Sequence, residues 1–442
     1  MAGGCVKITR GAAGIGGYSL TKIIALSLFA FMYILMIVFP KRRVFAVLGT
    51  AVIFLAAGIL PLSKVLPAIN WNILLMLTGT MVLVDYFIDS RMPACMADYL
   101  LDKSKNVMWV TIYMSLFSGF ISAFVDNVAT VLMVAPVGLA ICRKLNVKPV
   151  PMLLSIAVSS NLQGAATLVG DTTSIMLGAY ARMDFNDFFW MRGRPGIFFA
   201  VELGALATIP VMMFLFRRDK EPVHAGEKVQ VTCYTPTVTL ILMVVLLIAA
   251  SFFPGKPAVT NGVICVLLAV VTMLLDYFRT KNTVNARRAL QSLDLETLIL
   301  LTGLFLVIEG ITEAGIIDDF SAAIVRIGKD NIFVLYSVIV WGSVLISAFV
   351  DNIPYVATML PVLTGVTRTM GIEPYLLYFG LLTGATLGGN LTPIGASANI
   401  AAVGLLRKNG HEVSFRDFIR IGVPFTLTAV FVGYVFLWAF WR

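Results

Sequence analysis

Two copies of one acid-bearing motif are the features of this sequence best suited to chemistry. The heptapeptide Ile-Ser-Ala-Phe-Val-Asp-Asn ends at Asp126-Asn127 and recurs letter for letter at Asp351-Asn352. A carboxyl group at mid-membrane depth costs roughly 2.5–3.5 kcal/mol to insert and is therefore usually functional. Such a carboxylate can accept a proton or bind a cation. The asparagines can supply an amide oxygen to a cation or an N–H group to an anion, or can cap the following helix. We expect these four residues to form an ion site, with sodium as the candidate metal.

Interrupted apolar stretches follow each motif, over residues 149–181 and 374–407. Gly and Pro break helices, and a break inside a membrane exposes carbonyl groups and helix N-termini that can hold a cation or an anion. The alternative is a kink with small residues for close helix packing. Two breaks at equivalent places favour a binding site. Its candidate residues are Asn161, Thr167, Gly170, Asp171, Thr172 and Thr173 in the first stretch, and Gly389, Asn390, Thr392, Gly395, Ser397 and Asn399 in the second.

Other reactive chemistry finds little support in the sequence. The five cysteines are scattered without a Cys-x-x-Cys pair, so neither a disulfide framework nor a thiolate metal site is indicated. Asp126 and Asp351 could form an aspartyl pair of an intramembrane enzyme, but the exact duplication and the absence of a catalytic His motif oppose an enzyme. Asp85 and Glu309, which match across the repeat, are read either as proton-path residues or as residues of the membrane interface.

The elements that carry these residues are predicted to be membrane-spanning helices. Apolar residues make up 59% of 442 residues and charged residues 13%, and the mean hydropathy is +0.91. Five nearly charge-free stretches approach or exceed the roughly 18–20 residues that span hydrocarbon: 23–40, 44–63, 229–255, 257–275 and 421–441. The net charge of +9 comes from short basic loops, so it indicates orientation in lipid rather than nucleic-acid binding. We expect an all-α multi-pass protein of a cell membrane, in particular a bacterial inner membrane.

The chain also divides into two similar halves. The sequence offset that joins the two Asp-Asn motifs also joins Pro136 to Pro361, and an offset one position shorter joins Leu77-Thr-Gly79 to Leu301-Thr-Gly303. We predict an N-terminal segment 1–20, a first repeat 21–216, a linker 217–235 and a second repeat 236–441.

Loop charges favour re-entrant hairpins at 106–145 and 331–368. With Lys41, Arg42 and Arg43 in the cytoplasm, and each hairpin counted as no crossing, the later basic loops and the linker 217–235 fall inside, while the acidic loop around Asp318-Asp319 falls outside. Each repeat then has five crossings, about ten in all, and the second repeat is inverted relative to the first. Inverted repeats are common in secondary transporters. Both termini are expected outside.

The sequence resembles the ion transporter superfamily with a citrate transporter-like domain in four segments: FVDNVATVLMVAPV, FVDNIPYVATMLPV, ATLVGDTTSI and GGNLTPIGASANI. Members include arsenite-efflux permeases, D-type sodium/proton antiporters, the mammalian pink-eyed-dilution protein and divalent anion–sodium symporters. The resemblance covers about residues 40–440. It implies inverted repeats with two re-entrant hairpins and two broken helices, a homodimer and an elevator-like motion.

Two departures from the family pattern bear on function. The hairpin tips of the anion–sodium symporters carry Ser-Asn-Thr, whereas this chain has Asp126-Asn127-Val128 and Asp351-Asn352-Ile353; the first loop also reads GDTTSI where relatives often read GDPPNI. Two fixed negative charges repel a divalent carboxylate unless protons or sodium ions cover them.

These departures favour a secondary active transporter that uses a proton or sodium gradient to move a cation or a weak-acid solute such as arsenous acid. A sodium-coupled symporter of citrate, dicarboxylates or sulfate is the alternative, and an ion channel is a further one. No cofactor other than the coupling ion is expected. The sequence leaves open whether an ATPase subunit attaches.

Overall fold

The computed structural model describes residues 20–223, 229–253, 255–328 and 331–442. The predicted N-terminal segment 1–20 lies outside the described residues except for its last position, as do residues 224–228 of the predicted linker. Within the described ranges the chain forms twenty α-helices and one short hairpin of strands, in which β1 (Trp190–Met191) pairs antiparallel with β2 (Arg194–Pro195).

Ten of these helices precede the linker and ten follow it. The first ten are α1 (Leu20–Val38), α2 (Arg43–Ala56), α3 (Leu62–Ala68), α4 (Trp71–Asp89), α5 (Met92–Asp102), α6 (Val107–Ser122), α7 (Asn127–Leu145), α8 (Val150–Gln163), α9 (Thr172–Tyr180) and α10 (Ile197–Leu215). The second ten are α11 (Thr235–Ala250), α12 (Thr260–Thr280), α13 (Val284–Gln291), α14 (Leu295–Glu313), α15 (Ile316–Gly328), α16 (Ile332–Ser347), α17 (Asn352–Met370), α18 (Tyr375–Gly388), α19 (Ser397–Lys408) and α20 (Phe415–Trp441). Short 3₁₀ turns at Gly164–Ala166 and Gly389–Leu391 extend α8 and α18.

The two sets of ten helices begin at matching sequence positions. The starts of α6, α7, α8 and α9 precede those of α16, α17, α18 and α19 by the same offset that joins Asp126 to Asp351, and the starts of α4 and α5 precede those of α14 and α15 by an offset one position shorter. Matching N-caps explain part of this agreement, because Asn106 and Asn331 each accept a backbone N–H of the first turn of α6 and α16. The helix order therefore repeats with the sequence. The opposite orientation of the two repeats stays a prediction.

Seven of the described helices are long and apolar enough to cross a membrane: α1, α4, α7, α10, α12, α14 and α20. An eighth span results if the bent pair of α15 and α16 counts as one. Large apolar side chains such as Phe31, Leu206 and Phe431 are exposed on the outer surface, as expected for contact with lipid. The protein is thus a helical, multi-pass membrane protein, as predicted; the number of about ten crossings stays a prediction.

The helices pack in two groups. The scaffold helices, α1–α4 and α11–α14, form two subgroups, in which α1–α3 pack with α14 and α4 packs with α11–α13. Helices α1, α2 and α14 share an apolar cluster that includes Phe29, Phe54 and Val307. The core helices, α6–α10 and α16–α20, contain both predicted hairpins and both interrupted stretches. Helices α5 and α15 connect the two groups along the chain.

In the scaffold, helices of one repeat pack against helices of the other. Helix α4 packs on α12 of the other repeat, where Gly79 leaves so little room that an added Cβ would collide with the backbone of Cys265. Helix α14 packs in the same way on α2, where Gly303 faces Val47. The repeated Leu-Thr-Gly motif is therefore a close-packing motif of the scaffold.

Two ion clusters with matching sequence positions tie the repeats together. In one cluster, Lys64 of α3 pairs with Glu309, at 3.3 Å, and with Glu313 of α14. In the other, Arg288 of α13 pairs with Asp85, at 3.2 Å, and with Asp89 of α4, at 2.7 Å. The three positions of one cluster match those of the other at a single constant sequence offset, the one that joins the two Leu-Thr-Gly motifs. Asp85 and Glu309 are therefore ion-paired within the scaffold, which accounts for their match across the repeat; a role in a proton path stays a prediction.

Candidate functional site

Each acid of the repeated motif lies at the turn between two core helices and caps the second one. Asp126 follows α6, and its Oδ1 accepts hydrogen bonds from the backbone N–H groups of Val128, at 3.0 Å, and Ala129, at 3.1 Å. Asp351 follows α16, and its Oδ1 accepts a bond of 3.0 Å from the N–H of Ile353. The motif recurs because a helix must begin there, and an aspartate can satisfy its first N–H groups while keeping a second oxygen for another partner.

The turn that carries each acid, residues 122–127 in the first repeat and 347–352 in the second, is called the hairpin tip below. In each interrupted stretch, two of the predicted site residues hold the tip in place. The hydroxyl groups of Thr167 and Thr392 donate to the carbonyl oxygens of Ala123 and Ala348, which belong to the two tips. Gly170 and Gly395 lie against the tip backbone so closely that an added Cβ would meet the carbonyl oxygens of Ser122 and Ser347, respectively, at 2.7 Å. These four residues position the tips and do not line the central cavity.

A central cavity of about 530 Å³ receives both tips. It is bounded by the last turns of α4, the start of α14 and the N-termini of α7, α9, α17 and α19. Eight of the sixteen predicted site residues line it: Asp126, Asn127, Asn161, Asp171, Thr172, Asp351, Asn352 and Ser397. The structure thus brings residues from both repeats to one place.

Asn161, on this wall, and Asn390, behind it, join the two interrupted stretches to each other. The amide of Asn161 donates to the carbonyl oxygen of Thr386 at 2.6 Å and to Oδ1 of Asn390 at 3.1 Å, and Asn390 donates to the carbonyl oxygen of Val158 at 2.8 Å. Asn161 also accepts a bond of 2.9 Å from Asn127. This buried amide network fixes α8 against α18 and reaches one hairpin tip. Buried polar groups of this kind are stabilising only when their partners are present.

The second interrupted stretch closes on itself through Asn399. Its side-chain amide donates to the carbonyl oxygens of Gly389, at 3.1 Å, and Thr392, at 3.3 Å. Its Oδ1 is buried without a hydrogen-bond partner among the described residues. The exposed carbonyl groups of the break are therefore partly used by the protein itself.

Carboxylates dominate the charge of the cavity. Asp171 is 5% exposed, and its Oδ2 accepts a bond of 2.6 Å from the hydroxyl group of Thr173, which also lies 3.0 Å from the hydroxyl group of Thr386. In the part of the chain that the structure describes, no lysine or arginine forms an ion pair with Asp126 or Asp171. Across the same residues, no three His, Cys, Asp or Glu side chains are grouped so as to hold a metal ion.

Arg43 is, within the described ranges, the one basic residue that lines the cavity, and sequence reasoning assigned it only to a cytoplasmic loop. Its Nη1 lies 2.6 Å from Oδ2 of Asp351, and its Nε lies 2.9 Å from Oε1 of Glu296. Because Arg43 begins α2, it reaches the cavity from the scaffold. Sequence reasoning missed this role because Arg43 belongs to a run of three basic residues, and such runs usually indicate only the orientation of the chain in the membrane.

Four helix N-termini add positive potential to the cavity. The first residues of α7, α9, α17 and α19, namely Asn127, Thr172, Asn352 and Ser397, all line it. Each N-terminus carries the equivalent of roughly half a positive charge. Five carboxylates therefore line the cavity with one guanidinium group and four helix ends: the core contributes Asp126, Asp171 and Asp351, and the scaffold contributes Asp85 and Asp294. This arrangement can hold cations at the acids and an anion between the helix ends.

A second cavity, of about 250 Å³, mirrors the first at the opposite ends of the same scaffold helices. Eight of its twelve lining residues correspond to residues of the central cavity through the two offsets that relate the repeats: Ala68 to Ser292, Asn70 to Asp294, Ile73 to Thr297, Phe305 to Met81, Ile308 to Val84, Glu309 to Asp85, Thr312 to Ile88 and Ala357 to Leu132. Neither tip acid lines the second cavity. The scaffold thus presents two equivalent faces to the core, and only the larger cavity reaches both tips.

Comparison with known proteins points to one class. A family model described as Citrate transporter matches residues 33–384. An uncharacterized transporter of Mycobacterium tuberculosis is 29% identical over 384 residues, which cover 84% of this chain and 86% of that protein. The P protein of Sus scrofa is 26% identical over 508 residues, which cover 94% of this chain and 59% of that protein.

The fold is also similar to that of a solved transporter structure. The crystal structure of the Alcanivorax borkumensis YdaH transporter, described as having an unusual topology, matches with a TM-score of 0.59. The match covers 95% of this chain and 98% of that one at 14% sequence identity. At this identity the likeness concerns the fold.

Proposed function

The chain belongs to the citrate transporter family, and from this premise we propose that it is a secondary active transporter that uses a proton or sodium gradient to move a small ion or weak-acid solute. Membership makes it a multi-pass membrane transporter; the coupling ion and the class of solute are the proposal. The observation that supports it most is the meeting of Asp126, Asp171 and Asp351 in one cavity of about 530 Å³. Cavities of roughly 300–1,000 Å³ are typical of small-molecule sites.

Coupling follows from the charge of this cavity. Of its five carboxylates, Asp85 pairs with Arg288 and Asp351 pairs with Arg43. The other three, Asp126, Asp171 and Asp294, have no protein cation as ion-pair partner among the described residues, and an unpaired carboxylate is costly in a water-poor site. A proton or sodium ion bound at Asp126 or Asp171 removes that cost. Once the acids are neutralised, the four helix N-termini can hold the solute. The solute thus binds well only when the coupling ion is present, which is the thermodynamic requirement for coupled transport.

A sodium-coupled symporter of small anions such as citrate, dicarboxylates or sulfate is the second candidate. Arg43 and the four helix N-termini favour it, because they supply positive potential between the acids. An uncharged weak acid such as arsenous acid is favoured instead by the two tip carboxylates. The two candidates differ in one measurable property, the charge of the solute. The symporter carries its solute as an anion, whereas arsenous acid is carried uncharged.

The paired cavities support access from both membrane faces. We propose that the core helices move relative to the scaffold as an elevator, so that the tips exchange the central cavity for the smaller one. The opposite orientation of the repeats, the cytoplasmic position of residues 217–235 and a homodimeric assembly are parts of the same proposal. In this arrangement the central cavity opens toward the cytoplasm, because Arg43 and the linker lie on that side.

Transport by purified protein in proteoliposomes tests the proposal. Sodium and proton gradients are imposed in turn, with arsenite, citrate, succinate and sulfate as solutes, for the wild-type protein and for Asp126→Asn and Asp351→Asn. We expect gradient-driven, saturable uptake of one of these solutes, and loss of coupling in Asp126→Asn. Glu373→Gln removes an exposed acid and serves as the matched control. Coupled uptake that survives both Asp126→Asn and Asp351→Asn refutes the assignment of the acids, and large single-channel currents would identify a channel.

A further inference from the structure

Arg43 differs from its basic neighbours in what it contacts. Lys41 and Arg42 are exposed, whereas the Arg43 side chain is 19% exposed and binds two acids. Its Nη1 lies 2.6 Å from Oδ2 of Asp351 and its Nε lies 2.9 Å from Oε1 of Glu296. The guanidinium group uses two edges for two carboxylates, a geometry that lysine cannot reproduce.

The ion pair joins the scaffold to the core. Arg43 begins α2 and Glu296 lies in the first turn of α14, both of which are scaffold helices. Asp351 caps α17, a core helix. A movement of the core along the scaffold therefore separates Arg43 from Asp351 while Arg43 keeps Glu296. The pair with Asp351 belongs to the conformation described here.

The other repeat has neutral residues at the equivalent positions. Val47 of α2 lies against Gly303, and Cys265 of α12 lies against Gly79, the repeat counterpart of Gly303. This match aligns α2 with α12 and places Asn261 where α2 has Arg43. The offset that joins Gly79 to Gly303 also makes Asn72 the counterpart of Glu296. Asn261 and Asn72 thus provide amides where the other face has the charges of Arg43 and Glu296.

The amides of Asn72 and Asn261 differ in their hydrogen bonds. Asn72 accepts a bond of 2.8 Å from the N–H group of Gly262, beside Asn261, and the buried Oδ1 of Asn261 has no hydrogen-bond partner among the described residues. The two repeats are therefore alike in helix positions and unlike in the charge that each scaffold face offers to a hairpin tip.

We propose that Arg43 determines how many coupling ions the site needs: its fixed positive charge neutralises Asp351, so that, of the three acids that the core helices bring to the cavity, only Asp126 and Asp171 require a proton or sodium ion from solution. This inference rests on the proposed function and extends it to the stoichiometry. Without Arg43, Asp351 becomes a third carboxylate of the core helices that must be neutralised from solution. Removing one partner of a partly buried ion pair leaves an uncompensated charge, whereas removing both partners can be nearly neutral.

A double-mutant cycle with two readouts tests the proposal. The proteins are wild type, Arg43→Gln, Asp351→Asn and the double variant, with Arg42→Gln as the matched control at an exposed neighbouring arginine. The first readout is the thermal unfolding midpoint in detergent at several sodium concentrations and pH values, which needs no transport. We expect Arg43→Gln to lower the midpoint, the double variant to recover most of the loss, and added sodium or acid to raise the midpoint of Arg43→Gln more than that of wild type.

The second readout is the reversal potential of coupled uptake, which gives the number of coupling ions per solute. We expect Arg43→Gln to require one more cation per solute than wild type, and to be slower by roughly tenfold at low sodium. Arg43→Lys keeps the charge without the two-edged geometry and should retain the wild-type stoichiometry with a lower midpoint.

Three results would overturn or redirect the inference. Equal behaviour of Arg43→Gln and Arg42→Gln in both readouts overturns it, and so do additive midpoint losses in the double variant. An unchanged stoichiometry in an active Arg43→Gln protein overturns it as well. Absence of gradient-driven uptake in the wild-type protein, together with a coupled midpoint cycle, overturns the proposed function while the pairing of Arg43 with Asp351 stands.

Discussion

Replacing Gly170 with alanine tests the packing of the first hairpin tip against the interrupted stretch. A Cβ at this position would lie 2.5 Å from the carbonyl oxygen of Gly164, 2.7 Å from that of Ser122 and 2.8 Å from that of Ala123. A carbon–oxygen contact is comfortable at about 3.3 Å, so the backbone must move by roughly 0.5–0.8 Å. All three atoms belong to the backbone, and no side-chain rotation can relieve the contact.

Overpacking typically lowers the unfolding free energy by about 1–3 kcal/mol. We expect the cost of Gly170→Ala to lie in the upper part of this range. The displacement also reaches Asp171, the next residue, and misplacement of a binding group by a fraction of an ångström reduces the rate of a site that depends on geometry. We therefore expect Gly170→Ala to lower both the thermal midpoint and the rate of coupled uptake. Gly395→Ala meets three carbonyl oxygens at 2.7 Å and should lower the midpoint similarly; its next residue is Ala396, so the effect on transport should be smaller.

Gly342→Ala is the matched control. It lies inside α16, and a Cβ there would meet no atom of the described chain within 4 Å. Alanine raises helix propensity by about 1 kcal/mol relative to glycine, so this variant should be as stable as wild type or more stable. The midpoint is measured by thermal unfolding in detergent. If Gly170→Ala unfolds at the same temperature as Gly342→Ala, the tip does not rest on this glycine and the packing argument is wrong.

Three further predictions concern access, tip anchoring and the scaffold. In a cysteine-free background, Leu132→Cys should react with a membrane-impermeant thiol reagent from the cytoplasmic side and Ala357→Cys, its repeat counterpart, from the other side; reaction from one side only would contradict two-sided access. Thr167→Val leaves a buried carbonyl without its donor and should cost about 1–3 kcal/mol of stability, seen as a lower thermal midpoint. Lys64→Glu and Arg288→Glu should lower the midpoint by similar, small amounts, because each places a third acid in an equivalent, partly exposed ion cluster.

Controls for these predictions come from the same chain. The cysteine-free parent controls for background labelling. Thr369→Val removes a hydroxyl group whose bond is made within its own exposed helix turn, and it should leave the midpoint unchanged. A midpoint of Thr167→Val equal to that of Thr369→Val would show that the tip needs no threonine anchor. Unequal losses for Lys64→Glu and Arg288→Glu would show that the two clusters are not equivalent.

The sequence determined the class of the protein and the position of its helices. Length and hydropathy require membrane-spanning helices, because apolar stretches of this length have no soluble alternative. The repeat predicted that residues 106–145 and 331–368 fold alike, and the starts of α6 and α7 are separated from those of α16 and α17 by one and the same offset. Local signals suffice here, since N-caps, glycines and prolines fix where a helix begins and ends. The family resemblance, carried by the same motifs, is confirmed by the family match.

Tertiary structure decided which residues share the cavity. Thr167, Gly170, Thr392 and Gly395 share the composition of a binding loop, but they hold the tips, while Thr172 and Ser397 lie on the cavity wall. Sequence cannot separate these roles, because a hydroxyl group that binds a ligand and one that binds a carbonyl group of the chain look the same in a motif. The choice depends on which atoms of distant helices lie within hydrogen-bond distance.

Arg43 shows the same limit most clearly. From the sequence it is one of three consecutive basic residues beside a membrane helix, and only the packing of α2 on α14 brings it to Asp351, 308 residues away. Hydropathy and capping act over a few residues and are written locally, so the sequence alone determined the helices, their order and their membrane setting. Charge pairing acts between atoms that only the folded chain brings together, so the tertiary structure alone decided which acids of the cavity have a basic partner and which have none among the described residues.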